Sequence, residues 1–271
     1  LLRFGARRFA PALAAFLWCA AACAEDGPAV VRQVVDGDTV ILDGGERVRL
    51  LGIDAPEGKR VRKLKGGKKR LVPAQPFFVE AKRHLRDLTA GKRVKITVGE
   101  PAVGYYGRTL AYLHLAGGAS AGADVQQELL RRGYAMVTSY PPNIRHLRTY
   151  AKTEAEACRA GRGIWGHPHF ALQVLKDGAE IRHGRGRVEG VVTSVARTDV
   201  DIRVALNDRL TLLIARGAWR RFWRGQEAES MIGERLIARG KIRASGKNKT
   251  MRIRHPFMLR TRPCEAWPAG A

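Results

Sequence analysis

The sequence is poor in acid. Its 271 residues hold 25 Asp and Glu against 49 Lys and Arg, a formal net charge of +24, and a field of that sign attracts polyanions such as nucleic acid or anionic lipid. Long apolar runs are also scarce. After the first 24 residues no stretch reaches the 18 or so consecutive apolar residues of a membrane span, which does not fit a multi-span membrane protein. No repeat of about 20–50 residues is visible, so a solenoid is not expected. A hydrophobic content of 45% with 27% charged residues is ordinary for a globular chain and does not fit global disorder. The length suits two modest domains.

The four cysteines fall in two places. Cys19 and Cys23 belong to a segment with Arg3, Arg7 and Arg8 followed by the apolar run 9–24, with Ala22 and Ala24 at the spacing of a signal-peptide cleavage site. We expect a signal peptide at 1–24 and an exported product, periplasmic or secreted, with no stable membrane span after cleavage. Lipidation at Cys23 is disfavoured because Ala20 stands where a lipoprotein signal carries a large aliphatic side chain; an uncut leader would instead anchor the chain. Losing three arginines leaves the mature chain at a formal +21. Cys158 and Cys264 remain, as a disulfide or as two thiols, since sequence gives no distance between them.

From Val30 to Leu51 short apolar stretches alternate with Asp36-Gly37 and Asp43-Gly44-Gly45, the pattern of a three-strand meander. Residues 59–70 carry so many Lys and Arg around Gly66-Gly67 that a mobile loop is expected. Apolar residues at helical spacing predict helices over 77–88, 125–130 and 146–160, with strands at 94–98 and 110–115. After residue 170 the pattern changes to five short strands, at 188–195, 200–206, 210–214, 235–242 and 251–253, with a helical turn near Trp219 to Phe222. The expected fold is mainly β with α. A first domain at 25–170, a linker at 171–185, a small barrel of the oligonucleotide/oligosaccharide-binding (OB) type at 186–263 and a tail at 264–271 complete the division.

Three stretches carry the chemistry: Asp36-Gly37-Asp38-Thr39, then Arg49-Leu50-Leu51-Gly52-Ile53-Asp54-Ala55-Pro56-Glu57, then Tyr106-Gly107-Arg108. Each puts acids or an arginine at a strand end, where side chains converge on the mouth of a barrel. Phosphodiester hydrolysis needs an activated water, a cation near the non-bridging oxygens and donors for the charge that grows on the phosphoryl group. Asp38 and Asp54 are hard oxygen ligands suited to calcium, to which Ala55 can offer only its carbonyl. Glu57, beyond the rigid Pro56, suits a base or water-orienting role. Arg49 and Arg108 present planar forks for phosphate oxygens.

These motifs, in this order, together with the late Gly163-Ile164-Trp165, resemble the thermonuclease or staphylococcal-nuclease-like family over about residues 28–170. The resemblance implies a five-stranded OB-type barrel with three helices, a single Ca2+ held by Asp38, Asp54 and the Ala55 carbonyl, and catalysis by Glu57 with Arg49 and Arg108 clamping phosphate. It implies cleavage of DNA and RNA leaving 3′-phosphate ends; endonucleolytic action and a monomer are expected beside it, although the sequence leaves endo against exo action and the oligomeric state open. Tyr106 and Tyr140 match family tyrosines near the bound nucleotide. The sequence departs from the family at Gly104-Tyr105, in place of an acid and a lysine, and at Thr138, in place of a tyrosine. Within the basic segment, Lys59, Arg60, Lys68 and Lys69 either hold extended nucleic acid beside Glu57 or form a solvated charge run.

Other readings compete. A non-catalytic nucleic-acid-binding protein would need only the barrel and the charge, and an envelope-binding protein only the charge and the leader. His167 and His169 lack the further ligands of a metal site and read as surface histidines. Asp124, Glu128, Glu154 and Glu156 read as solvated or helix-pairing charges. Trp219, Phe222 and Trp223, at helical spacing among arginines, read as core.

Overall fold

A computed structural model describes residues 28–63, 65–245 and 248–265; the leader expected at 1–24 lies outside them. Strands β1 (Ala29–Asp36), β2 (Thr39–Leu42) and β3 (Arg47–Leu50) form the meander. Val31, Val34, Val40, Leu42, Val48 and Leu50 turn inward from it. A two-residue β4 (Ile53–Asp54) follows.

The basic segment is not the loop its composition predicts. Here β5 (Arg60–Lys63) and β6 (Lys69–Val72) pair as an antiparallel hairpin. Gly66 and Gly67, at φ 77° and 76°, make its turn, so the glycines that read as a flexible segment are what reverses the chain.

Helix α1 (Phe78–Thr89) buries Ala81 and Leu85. Strands β7 (Arg93–Val103) and β8 (Thr109–Leu115) then close a five-stranded barrel in the order β1-β2-β3-β8-β7, with β7 pairing back to β1. Helix α2 (Val125–Arg131) begins at Asp124, whose Oδ1 accepts from the Gln127 N–H at 2.9 Å, a side-chain cap for otherwise unpaired donors. The short β9 (Met136–Val137) pairs with β4, setting Asp54 opposite Met136. Helix α3 (Leu147–Arg159) completes the three expected helices.

The second half builds another barrel. Its strands are β10 (Gln173–Val174), β11 (Gly184–Arg197), β12 (Asp201–Leu206) and β13 (Leu210–Ala215), then α4 (Arg216–Phe222), β14 (Arg235–Ser245), β15 (Asn248–Ile253) and β16 (Leu259–Arg260). The sheet runs β10-β11-β12-β13-β15-β14-β16, and a β11–β14 pairing closes it. Counted within each barrel, both follow the strand order 1-2-3-5-4 with a helix between the third and fourth strands, the OB-type arrangement. Trp219 and Trp223 stack at 5.2 Å in the second core, as the helical spacing predicts. Leu175 and Ile181, from the stretch read as a linker, are buried in the same core.

The two barrels are fastened together. Phe257 belongs to the first core while its neighbour Met258 belongs to the second. Cys158 and Cys264 form a disulfide, and the Arg187 guanidinium lies 4.6 Å over the Trp165 ring. Glu154, read as a helix-surface charge, is instead buried. It accepts from the Val137 N–H at 2.6 Å and takes two bonds from Arg239 at 2.7 and 2.9 Å. A carboxylate 85 residues away from its partner in sequence looks solvated until the second barrel covers it.

Candidate active site

The site starts from a tight turn. A Cβ on Gly37 would sit 2.6 Å from that of Ala55, so only glycine lets the β1–β2 turn lie against the Asp54-Ala55-Pro56 segment. Asp38 Oδ2 then accepts from the Ala55 N–H at 2.9 Å. Arg49, on β3, reaches the same place: its Nη2 lies 2.9 Å from Asp38 Oδ2 and 3.1 Å from Asp54 Oδ1. Its Nη1 donates to the Leu50 carbonyl at 2.6 Å, which fixes the fork. Arg108 enters from the start of β8. It donates to Thr39 Oγ1 at 3.2 Å, and that hydroxyl donates to Asp38 Oδ1 at 3.2 Å. Residues far apart in sequence thus meet at one barrel mouth, with Asp38 and Asp54 both buried.

Glu57 lies at the exposed edge of this cluster, close enough to Asp54 to raise its pKa through charge. Its carboxylate pairs with Arg60 at 3.0 Å, both side chains half exposed. Such a pair contributes about 0–1 kcal/mol, so a substrate phosphate can take Arg60 and free Glu57 at little cost. Lys59, Lys68 and Lys69 are exposed around the β5–β6 hairpin. Tyr106 is 79% exposed, with Arg108 over its ring at 5.8 Å. The Tyr140 hydroxyl accepts from Arg185 Nη2 at 3.0 Å.

Arg185 was not singled out from the sequence. Its Nε sits 2.6 Å from Asp54 Oδ2, so both oxygens of this carboxylate face an arginine, one from each barrel. The signal for it was the alternation Gly184-Arg185-Gly186-Arg187, which marks one face of a strand. Which object that face meets is a property of domain docking and is not written locally.

The electrostatics are those of crowded acids. Burial pushes the Asp54 carboxyl up to about 6, against the pull of Arg185 and Arg49 and with the help of Asp38 and Glu57. Asp36 is also pushed up to about 6, by burial and then by the charge of Asp38. The Tyr140 hydroxyl is opposed by burial, but Arg185 outweighs it and the net direction is down. Asp54, hard to ionise even beside two arginines and crowded by Asp38, is a group that a divalent cation would relieve. Hard oxygens of two carboxylates and a backbone carbonyl fit calcium, which accepts waters for the remainder. Among the described residues no group of three or more His, Cys, Asp or Glu converges as a metal site, so such an ion would depend on the Ala55 carbonyl and water. His167 and His169 bond to each other through ring nitrogen and backbone N–H at 3.1 Å.

A family model described as staphylococcal nuclease homologue matches residues 47–167. The chain is 31% identical over 140 residues to the thermonuclease of Staphylococcus intermedius, covering 50% of this chain and 74% of that protein. It is 29% identical over 143 residues to the thermonuclease of Staphylococcus hyicus, covering 50% and 73%. To the endonuclease YhcR of Bacillus subtilis (strain 168) it is 27% identical over 178 residues, covering 63% of this chain and 14% of that protein.

Proposed function

The chain belongs to the staphylococcal nuclease family, and from that membership we propose that it is a calcium-dependent nuclease that cuts DNA or RNA endonucleolytically and leaves 3′-phosphate ends. The observation that carries this reading is the convergence of Asp38 and Asp54 on the single Arg49 Nη2, at 2.9 and 3.1 Å, with Arg108 tied to the same cluster through Thr39. The leader-like residues 1–24 support export.

In this reading Asp38, Asp54 and the Ala55 carbonyl would hold a calcium ion, which would supply positive charge to the non-bridging phosphate oxygens. Arg49 and Arg108 bind the phosphoryl oxygens and stabilise the charge that grows there, since neither can lose its proton at working pH. The Glu57 carboxylate takes a proton from the attacking water as its oxygen bonds to phosphorus. The bond from phosphorus to the 5′ oxygen breaks, that oxygen takes a proton from solvent water to become a 5′-hydroxyl, and the phosphate stays on the 3′ side. Tyr106 and Tyr140 hold the flanking nucleotide, and the hairpin residues Lys59, Arg60, Lys68 and Lys69 neutralise backbone phosphates.

The test is incubation of the protein with single-stranded DNA or RNA at alkaline pH, with calcium or with a chelator, followed by fragment sizing and end-group analysis. Internal cleavage that needs calcium and leaves 3′-phosphate supports the reading. Binding without cleavage under both conditions replaces it with the non-catalytic binding protein.

A further inference from the structure

Strands β14 and β15 are written in alternation. Leu236, Ala238, Ile242, Met251 and Ile253 are buried, while Lys241, Arg243, Arg252 and Arg254 between and beyond them are exposed. Period-two patterning of this kind puts all four cations on the outer face of the second barrel. Arg185 joins them, since it is the register partner of Lys241 on β11.

Part of this face is used for docking: Arg239 is held by Glu154, Arg185 by Asp54 and Arg187 by Trp165, and Arg254 lies over Tyr140. Lys241, Arg243 and Arg252 are left over. Among the described residues, none of Lys241, Arg243, Arg252 and Arg254 has a carboxylate within ion-pair distance. Like charges side by side on a sheet destabilise it, so a stripe of this kind is stable at low cost only with anions in front of it. The stripe forms one wall of a cleft of about 450 Å³ whose other wall carries Asp54, Tyr106 and Tyr140. The Arg254 guanidinium lies 5.6 Å over the Tyr140 ring, and Tyr106 stands almost fully exposed at the rim.

We propose that this face of the second barrel binds a single strand of nucleic acid and leads it into the site at Asp54, gripping phosphates several nucleotides away from the one that is cut. The proposal rests on the nuclease reading for the identity of the strand. A row of cations tracks the backbone, and open aromatic faces stack on bases. Stacking needs unpaired bases, because a duplex hides their faces, and this is what selects the single strand. The first barrel holds the chemistry, and the second gives length dependence.

The test uses the full chain and the variant Lys241→Ala/Arg243→Ala/Arg252→Ala. A chelator suppresses cleavage while binding of a labelled single strand of about 12 nucleotides, a length within the range gripped by one OB-type barrel, is followed by anisotropy over a series of salt concentrations. Binding is expected to weaken about tenfold or more, and the slope of log affinity against log salt to fall by about 2, since each phosphate contact on a single strand contributes roughly 0.7. A matched variant, Arg216→Ala/Arg220→Ala/Arg224→Ala, removes equal charge from residues that do not line the cleft and should show a smaller loss. Equal losses in the two variants, or an unchanged slope, overturn the proposal, as does a loss no larger for the single strand than for the matched duplex.

With calcium present, the ratio of kcat/KM on the same strand to that on a dinucleotide should fall about tenfold in the first variant. If the wild type cleaves nothing while the variant still loses binding, the nuclease reading fails and the binding face stands. If the wild type cleaves and neither the ratio nor the binding moves, the face fails and the nuclease reading stands. Thermal unfolding of each variant checks the fold, and Lys241→Gln/Arg252→Gln gives the same readouts where the triple variant does not fold.

Discussion

Arg185 of the second barrel forms an ion pair with Asp54 of the first, Nε 2.6 Å from Oδ2, so the carboxylate proposed as a calcium ligand already faces a cation from the neighbouring domain. A calcium ion binding there competes with the guanidinium for the same oxygen or sits beside its charge. Arg185→Ala is therefore expected to tighten calcium binding several-fold when measured by calorimetry without substrate, at alkaline pH where Asp54 is ionised. Unchanged or weaker calcium binding means that Arg185 serves only to dock the barrels or hold Tyr140.

Glu57 is exposed, its carboxylate pairs among the described residues with Arg60, and it is therefore replaceable without damage to packing. Glu57→Gln keeps the size and removes the proton acceptor. Turnover should fall by about 100-fold or more, in the range of general-base catalysis, while oligonucleotide affinity in chelator stays within about twofold. A kcat close to wild type would take Glu57 out of the proton transfer.

Among the described residues, Glu154 is the one buried acid outside the site. Its carboxylate accepts from Val137 N–H and from both Arg239 nitrogens, and Val137 pairs with Ile53 beside Asp54. Glu154→Ala strands a buried guanidinium and a backbone N–H, which costs about 3–5 kcal/mol. The urea midpoint should drop accordingly, with calcium affinity falling because the β4–β9 pairing that sets Asp54 is loosened. A midpoint shift under about 1 kcal/mol would show that water replaces the carboxylate at the domain interface.

What the sequence disclosed follows from what is local. The meander, the three helices and the convergence of Asp38, Arg49, Asp54 and Arg108 were legible because strand periodicity and turn residues place each motif at a strand end. The hairpin at Arg60–Lys63 and Lys69–Val72 was hidden because charge density outweighed the turn signal of Gly66-Gly67. Glu154 and Arg185 were misread or passed over for one shared reason. Their partners, Arg239 and Asp54, lie across the contact between the barrels, and no periodicity within either segment encodes that contact. Phe257, which leaves its own barrel for the core of the other, belongs to the same class.

His255 shows how that contact responds to acid. The ring is buried, its Nδ1 accepts from the Phe257 N–H at 3.1 Å, and this bond caps the short turn that delivers Phe257 into the first core. Burial, and then the charge of Arg221, lower its pKa to about 4 from an ordinary 6.5. Because the folded value lies below the unfolded one, the unfolded chain binds the proton more readily across that window. The associated stability is complete above about pH 6.5 and declines as the pH falls towards 4, by up to about 3 kcal/mol. His255→Asn keeps an acceptor for the Phe257 N–H and removes the titration. Between pH 7 and 4.5 the urea midpoint of the wild type should therefore fall further than that of the variant; parallel declines would mean that groups other than His255 set the acid sensitivity, and not Asp36 or Asp54, whose raised pKa values favour the folded state as the pH falls.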